Sequence, residues 1–189
     1  MPWKMRVLIQ TLERTASTSM QRYLCEIMEK PINRAHWGMP SREGRGSGFL
    51  PPRARGDELT EGFPTHIVTI VRDPYERMIS LMRKTRSTLF DYTAHEDYHK
   101  VLKKWADVYS EPFCEPFTVI GKLGILKFEM IDDAVPMMLE WLGISTDIQF
   151  PHHAATNAGK PKIEMASLDE EKIKAMYDGK YAKHFGYHA

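Results

Sequence analysis

Two short polar segments of the chain combine hydroxyl groups with arginine, which is the chemistry of an anion-binding site. In the first segment, Arg14 is followed by four hydroxyl residues, Thr15, Ser17, Thr18 and Ser19. The second segment is Arg72-Asp73-Pro74, with Arg77 and Ser80 following it. Guanidinium and hydroxyl groups donate hydrogen bonds to phosphate-like oxygens, and the N–H groups of a helix start point at the same kind of ligand. Two such segments predict a ligand with phosphate-like groups at both ends.

Each polar segment lies between a predicted strand and a predicted helix. Apolar runs predict strands at 6–11 and 66–71, and helical spacing predicts helices at 17–30 and 74–86. The second run is nearly all β-branched, which favours a strand buried on both faces of a parallel sheet. Pro74 suits the first turn of its helix. This order places an anion at the carboxyl end of a strand and at the positive end of a helix dipole.

The remaining pattern predicts the elements that must support these segments. It indicates strands at 32–36 and 124–129 and helices at 95–109, 132–142 and 167–177. We expect Asp132 to cap its helix and Gly143 to end it. Strands alternating with helices indicate an α/β fold of three layers, with a mainly parallel central sheet flanked by helices. The 189 residues fit one domain spanning 1–189, with the Gly- and Pro-rich segment 38–64 as a flexible loop or lid.

Composition excludes several classes of partner. A formal net charge of +1 gives no bulk attraction to a polyanion, so we expect no nucleic-acid partner. Cys25 and Cys114 lack the CxxC spacing of a zinc site, and Cys25 is expected to be a small buried residue. No leader-like or membrane-spanning run precedes the first strand, which predicts a cytoplasmic protein without a membrane partner. A GxxxxGK[ST] phosphate loop is excluded, because no glycine precedes Gly38.

The two segments resemble the nucleotide-binding motifs of sulfotransferases that use 3′-phosphoadenosine 5′-phosphosulfate (PAPS). Arg14-Thr15-Ala16-Ser17-Thr18-Ser19 is similar to the family's 5′-phosphosulfate loop, which is usually Lys-Ser-Gly-Thr-Thr. Val71-Arg72-Asp73-Pro74, with Arg77 and Ser80, resembles its 3′-phosphate motif. Residues 126–129, 141–144 and 181–187 resemble the family's later strand, its later helix and its C-terminal pattern. The resemblance implies a P-loop nucleotide-hydrolase-like sulfotransferase architecture, with PAPS as co-substrate and no metal.

The same resemblance implies roles for individual residues. Arg14 would bind the transferring sulfuryl group, and the 5′-phosphate would be held by the loop residues Thr15, Ala16, Ser17, Thr18 and Ser19. Arg72 and Ser80 would hold the 3′-phosphate, and a loop carrying Lys160 would close over the nucleotide. His36 is the candidate general base, because its intrinsic pKa suits proton abstraction near neutrality, with Glu43 as the alternative. The acceptor would be a small molecule or a glycan.

The family's usual loop has lysine and glycine where this chain has Arg14 and Ala16. Alanine is expected to keep the loop away from positive φ. Each feature also has a purely structural interpretation. Ser17 or Thr18 could be an ordinary helix cap, and Asp73 could form an i, i+4 ion pair with Arg77.

Some residues and function classes have competing interpretations. His36 could be a structural histidine beside Trp37, and Glu129 is expected to tie down a loop. Two other classes of function stay open. One is a phosphoryl-transfer enzyme of similar fold, and the other is a non-catalytic protein that binds nucleotides or anions.

Overall fold

A computed structural model describes residues 5–12, 15–29, 33–37, 65–85, 93–105, 113, 115–151 and 170–188. Within these ranges the strands are β1 (Val7–Leu12), β2 (Asn33–Trp37), β3 (His66–Val71), β4 (Phe117–Ile120) and β5 (Leu123–Lys127). The helices are α1 (Ser17–Ile27), α2 (Pro74–Thr85), α3 (Thr93–Trp105), α4 (Ile131–Leu142), α5 (Glu170–Asp178) and α6 (Lys180–His184). Strands and helices are therefore interspersed along the chain, as the sequence predicts.

The described strands form one mixed open sheet in the order β2-β1-β3-β5-β4. β1 pairs in parallel with β2 and β3, and β3 pairs in parallel with β5. β4 is antiparallel to β5, and a tight turn at Gly121 (φ 58°) joins them. The predicted α/β class is confirmed. β4 was not predicted, because a strand of four residues is too short for its alternation to stand out.

Both faces of β3 are buried, as its β-branched run predicts. Val68 and Ile70 belong to a core cluster with residues of α1 and α4. Ile67 and Val71 belong to a second cluster with residues of α3 and α6. Because side chains alternate along a strand, these two clusters lie on opposite faces of the sheet. Helices thus pack on both faces of β3 and hold it as the rigid base for the loop that follows.

Several element boundaries differ from the predicted ones for local reasons. α1 ends at Ile27, because Glu29 takes a left-handed conformation with φ of 50°. Asp132 does not cap α4, since a 3-10 turn runs directly into the helix and Met130 holds the cap position. Gly143 ends α4 in a left-handed conformation with φ of 66°, as predicted.

Cys25 and the segment 38–64 carry two further sequence predictions. Cys25 has a free thiol and is half-buried, rather than buried, at the edge of the first core cluster. Its place on α1 allows the side chain to touch the core while part of it faces outward. The segment 38–64 lies outside the described residues, so the lid stays a prediction. In the part of the chain that the structure describes, no helix is both long enough and apolar enough to cross a bilayer.

Candidate functional site

The carboxyl ends of β1 and β3 lie side by side at one edge of the sheet. Ile9 pairs with Val68, and both strands end three residues later, at Leu12 and Val71. β1 is also the strand at which the sheet order reverses, because β2 lies on one side of it and β3 on the other. Ligands of open α/β sheets bind in the crevice outside such a switch point. Both predicted anion segments follow these two strand ends.

Two threonine hydroxyls hold the loop after β1. The Thr11 Oγ1 lies 2.6 Å from the carbonyl oxygen of Ile70, which joins β1 to β3 near their ends. The Thr15 Oγ1 lies 2.7 Å from the carbonyl oxygen of Leu12 and 2.7 Å from the Thr11 Oγ1. Both threonines are fully buried. The Thr15 hydroxyl is therefore engaged within the loop, where it fixes the path of the chain into α1.

Ala16 is the N-cap residue of α1 and adopts a left-handed conformation, with φ of 62° and ψ of 15°. The expectation that alanine keeps this loop from positive φ is therefore wrong. An L-residue in this region costs about 1–2 kcal/mol, which the buried threonine contacts on its amino-terminal side can offset. Neither Ser17 nor Thr18 occupies the cap position, so the ordinary-cap interpretation is also wrong.

The first turn of α1 presents main-chain N–H groups at the loop. The helix's own hydrogen-bond ladder begins with the N–H of Met20 donating to the carbonyl of Ala16 at 3.0 Å. N–H groups before that position are not used by a helix ladder, and they favour an anion. Among the side chains here, Ser17 is buried, Ser19 is half-buried and Thr18 is exposed. The main-chain N–H groups of this turn are therefore the candidate donors to a ligand, with the Thr18 and Ser19 hydroxyls on the same turn.

The loop after β3 begins with Arg72 and leads directly into α2. Pro74 is the first residue of α2, as predicted. The N–H of Glu76 donates to the Asp73 Oδ1 at 2.9 Å, which caps the helix. The Arg72 guanidinium lies 4.2 Å from the centre of the Phe128 ring, and its Nη2 lies 3.9 Å from the Glu76 Oε2. Stacking on the ring and the neighbouring carboxylate orient this cation.

Partners far along the chain hold the main chain of this loop. The N–H of Asp73 donates to the Glu129 Oε1 at 2.8 Å, so the prediction that Glu129 ties down a loop is confirmed. The Tyr181 hydroxyl accepts from the N–H of Arg72 at 3.1 Å and donates to its carbonyl at 3.0 Å. The Tyr177 hydroxyl lies 3.0 and 3.1 Å from the two carboxylate oxygens of Asp73.

The role of these tyrosines was not predicted from sequence. Tyr181 lies in the segment 181–187, which resembles a family pattern, whereas Tyr177 lies outside that segment. That pattern gives no contact partner, so the hydroxyl bonds to residues 72 and 73 emerge only from the fold.

The tyrosine hydroxyls remain hydrogen-bond donors at neutral pH. Burial raises the pKa of Tyr177, Tyr181 and Tyr187 above the usual value near 10. The Asp73 carboxylate raises the pKa of Tyr177 further, since ionising the phenol would place two negative charges together. For Tyr187, neighbouring Tyr181 and Glu129 act in the same direction. The loop after β3 is therefore held by protonated phenols.

Arg77 and Ser80 are buried on the inner side of α2, with exposed fractions of 4% and 5%. The Arg77 Nη1 lies 3.3 Å from the His95 Nε2 of α3. The predicted i, i+4 partner of Arg77 was Asp73, but the Asp73 carboxylate contacts Tyr177 and the N–H of Glu76. An i, i+4 ion pair at this helix start joins Arg72 to Glu76. Ser80 lies about two helical turns from the loop, and the helix rise places it about 9 Å beyond Pro74, the first residue of α2.

The other predicted site residues divide into two groups. His36 lies on β2, opposite Thr11 of β1, so its main chain is next to the strand that carries the first loop. Arg14, Glu43 and Lys160 lie outside the described residues. Among the residues that the structure describes, no group of three or more His, Cys, Asp or Glu side chains could hold a metal ion.

Comparisons with known proteins add no relative to this description. The chain matches no protein-family model, no curated protein and no solved structure. Any functional conclusion therefore depends on the two loops themselves.

Proposed function

We propose that this chain is a sulfotransferase that moves a sulfuryl group from PAPS to a hydroxyl or amine of a small-molecule or glycan acceptor. The observation that supports the proposal is the placement of two polar loops at the adjacent carboxyl ends of β1 and β3. One loop opens a helix beside a cluster of hydroxyls, and the other carries an oriented arginine. The finer architecture, a P-loop-like sulfotransferase fold with a mainly parallel sheet, is part of the same proposal.

The two loops divide the donor between them. The first turn of α1, with Thr18 and Ser19, binds the 5′-phosphate, while Thr15 and Ala16 set the loop's path. Arg72 binds the 3′-phosphate, and its charge distinguishes this donor from an ordinary adenine nucleotide. Ser80 completes that site, where the 3′-phosphate lies against α2. Ser17 supports the first turn from its buried position.

The transfer itself is an in-line displacement at sulfur. The acceptor oxygen or nitrogen forms a bond to sulfur as the bond from sulfur to the 5′-phosphate oxygen breaks. The acceptor proton passes to His36, or to Glu43 if that residue is the base, and 3′-phosphoadenosine 5′-phosphate (PAP) leaves. Arg14 and the helix N–H groups stabilise the negative charge that develops on the leaving phosphate oxygen. A bound metal is not required for this step, because the sulfuryl group carries little net charge.

Turnover tests the proposal directly. The protein is incubated with PAPS and a panel of hydroxyl and amine acceptors, and PAP release is followed with Mg²⁺ and with a chelator. We expect PAP release that requires an acceptor and is unchanged by the chelator. Turnover of ATP that requires Mg²⁺ would instead indicate a phosphoryl-transfer enzyme. Tight PAP binding with no turnover for any acceptor would indicate a non-catalytic nucleotide-binding protein.

His36→Ala separates catalysis from donor binding. If His36 is the base, we expect transfer to slow by about 100-fold or more, the usual range for a general base. The affinity for PAP should change by less than about threefold, since the base contacts the acceptor. His66 provides the control, because His66→Ala removes an imidazole at the amino-terminal end of β3, at the opposite edge of the sheet from the two loops. Unchanged turnover of His36→Ala would remove His36 as the base and favour Glu43.

A further inference from the structure

We propose that the segment 170–188, here called the tyrosine segment, is a positioning element that holds Arg72 in its nucleotide-binding geometry. Tyr177 and Tyr181 of this segment contact the loop after β3 through their hydroxyl groups, and Tyr187 contacts Glu129, which in turn holds that loop. The inference rests on the proposed function, because it concerns how the 3′-phosphate site is built. It assigns a role to tyrosines that lie 104 and 109 positions along the chain from the loop residues they contact, and no motif of the loop itself contains them.

Tyr181 contacts both main-chain polar groups of Arg72, on either side of its Cα atom. Its hydroxyl accepts from the Arg72 N–H and donates to the Arg72 carbonyl. A partner that bonds both groups restricts φ and ψ of one residue much as a neighbouring strand does. This matters because Arg72 is the first residue beyond β3, where the sheet's own pairing stops. The direction of its side chain follows from those two backbone angles.

Tyr177 and Tyr187 hold the residue that follows. The Tyr177 hydroxyl meets both carboxylate oxygens of Asp73, whose Oδ1 also caps α2. The Tyr187 hydroxyl donates to the Glu129 Oε2 at 2.9 Å, and the other oxygen of Glu129 accepts the Asp73 N–H. Two routes therefore connect the tyrosine segment to Asp73, one direct and one through Glu129.

The tyrosine segment is itself anchored firmly enough to position a loop. Tyr181 and Phe185 are almost fully buried in the second core cluster. The N–H of Tyr181 donates to the Glu96 Oε1 of α3 at 2.9 Å. Gly179 allows this approach, because a Cβ there would lie 2.5 Å from the same Glu96 oxygen. The rings supply the anchoring, and the hydroxyls supply the contacts with the loop.

This division allows the positioning role to be tested without removing the anchor. Tyr181→Phe keeps the ring in the core and deletes only the hydroxyl. We expect the preference for PAP over AMP to fall by about tenfold, the effect of losing a buried hydrogen-bonding group. The affinity for AMP should stay constant, since AMP lacks the 3′-phosphate. Calorimetric titration with both nucleotides measures the two affinities, and amide hydrogen exchange at Arg72 and Asp73 should accelerate.

Tyr23→Phe is the matched control, because its hydroxyl also donates to a main-chain carbonyl, that of Ile148 at 2.8 Å, rather than to the loop after β3. A purely structural effect would change both variants alike and leave the nucleotide preference intact. If Tyr181→Phe fails to fold, Tyr177→Phe at the half-buried position takes its place.

The possible outcomes separate the inference from the function on which it rests. If the unmodified protein prefers PAP and Tyr181→Phe loses that preference, the inference is supported. If the unmodified protein prefers PAP and Tyr181→Phe, or its replacement Tyr177→Phe, keeps the full preference, the positioning role is wrong while the proposed function stands. If the unmodified protein shows no preference, the proposed function is wrong, and the inference falls with it.

Discussion

The loop after β1 and the loop after β3 leave the same edge of the sheet but are held in different ways. The first is held by Thr11 and Thr15, which contact each other, the end of their own strand and the neighbouring strand. The second is held by Glu129, Tyr177 and Tyr181, which lie 56 to 109 positions away in the chain. The first loop thus depends mainly on local contacts and the second on the assembled fold.

Loops held in these two ways tolerate different changes in sequence. A locally held loop keeps its shape when remote elements change, but it has to accommodate its own strain, here the left-handed Ala16. A remotely held loop is free of positive φ within residues 72 and 73 and relies on partners that pack elsewhere. Substitutions that affect the first loop should therefore change mainly the free energy of unfolding. Substitutions that affect the second loop should change mainly the preference between nucleotides.

The largest expected effect belongs to Arg72→Ala in the second loop. Removing the guanidinium should weaken PAP binding by about 100-fold, the effect of losing a charge-assisted contact with phosphate. Binding of AMP should change by less than about threefold, since the lost contact is with the 3′-phosphate. Calorimetric titration measures both, with Arg22→Ala at an exposed site on α1 as the control. An equal loss for PAP and AMP would mean that Arg72 does not contact the 3′-phosphate.

Thr15→Val should show the local hold of the first loop. The variant keeps the shape of the side chain and removes the hydroxyl that contacts the Leu12 carbonyl and Thr11. We expect the free energy of unfolding to fall by about 1–2 kcal/mol, because a buried hydrogen bond is lost. Urea denaturation measures this, and Thr118→Val on the edge strand β4 is the control, with a change within about 0.5 kcal/mol. An unchanged stability of Thr15→Val would show that the hydroxyl does not hold the loop.

Ala16→Gly should stabilise the protein, since glycine adopts the left-handed region without steric cost. We expect the free energy of unfolding to rise by about 1 kcal/mol. Affinity for AMP should stay the same, because Ala16 already has this conformation without ligand. Ala175→Gly on the exposed side of α5 should have the opposite sign and cost about 1 kcal/mol. A destabilised Ala16→Gly would contradict the left-handed cap.

The smallest effect at neutral pH concerns the ionisation of the tyrosines. The pKa values of these tyrosines are raised in the folded state, so the folded protein holds their protons more tightly than the unfolded chain does. Their contribution to the free energy of unfolding is complete below about pH 10 and is lost as the pH rises above that value. Between pH 7 and 9 we expect no loss from these groups. Above pH 10 we expect the free energy of unfolding to fall with pH, and to fall less steeply in Tyr181→Phe than in the unmodified protein. An equally steep fall in both proteins would show that Tyr181 does not contribute to it.

Much of the frame around the two loops could be predicted from sequence because its signals are local. The β-branched run of β3, Pro74 at the start of α2 and Gly143 at the end of α4 each appear where expected. Local signals failed where a neighbour changed the geometry. Asp132 has the chemistry of a cap, but a 3-10 turn leads into α4 ahead of it. Ala16 takes a conformation that its residue type disfavours, because the contacts on either side of it fix the path of the loop.

The support of the second loop was beyond sequence reasoning except at one residue. Glu129 could be expected to tie down a loop, because it follows β5, which ends at the same edge of the sheet as its parallel neighbour β3. The tyrosine hydroxyls gave no such signal, since their ring positions are fixed by core packing and their partners by the sheet order. α6, which carries Tyr181, has only five residues and was not predicted as a helix. The contacts of Tyr181 with Arg72 form only when α3 and α6 pack together.

Titration of the unmodified protein with PAP and with AMP, both without Mg²⁺, is the most direct test of whether the two loops form one nucleotide site. The site proposed here predicts clear preference for PAP, by about 100-fold, since Arg72 adds a charge-assisted contact to the 3′-phosphate. Equal weak binding of the two nucleotides, or no binding of either, would contradict it. The two loops would then be local helix starts or serve a different ligand.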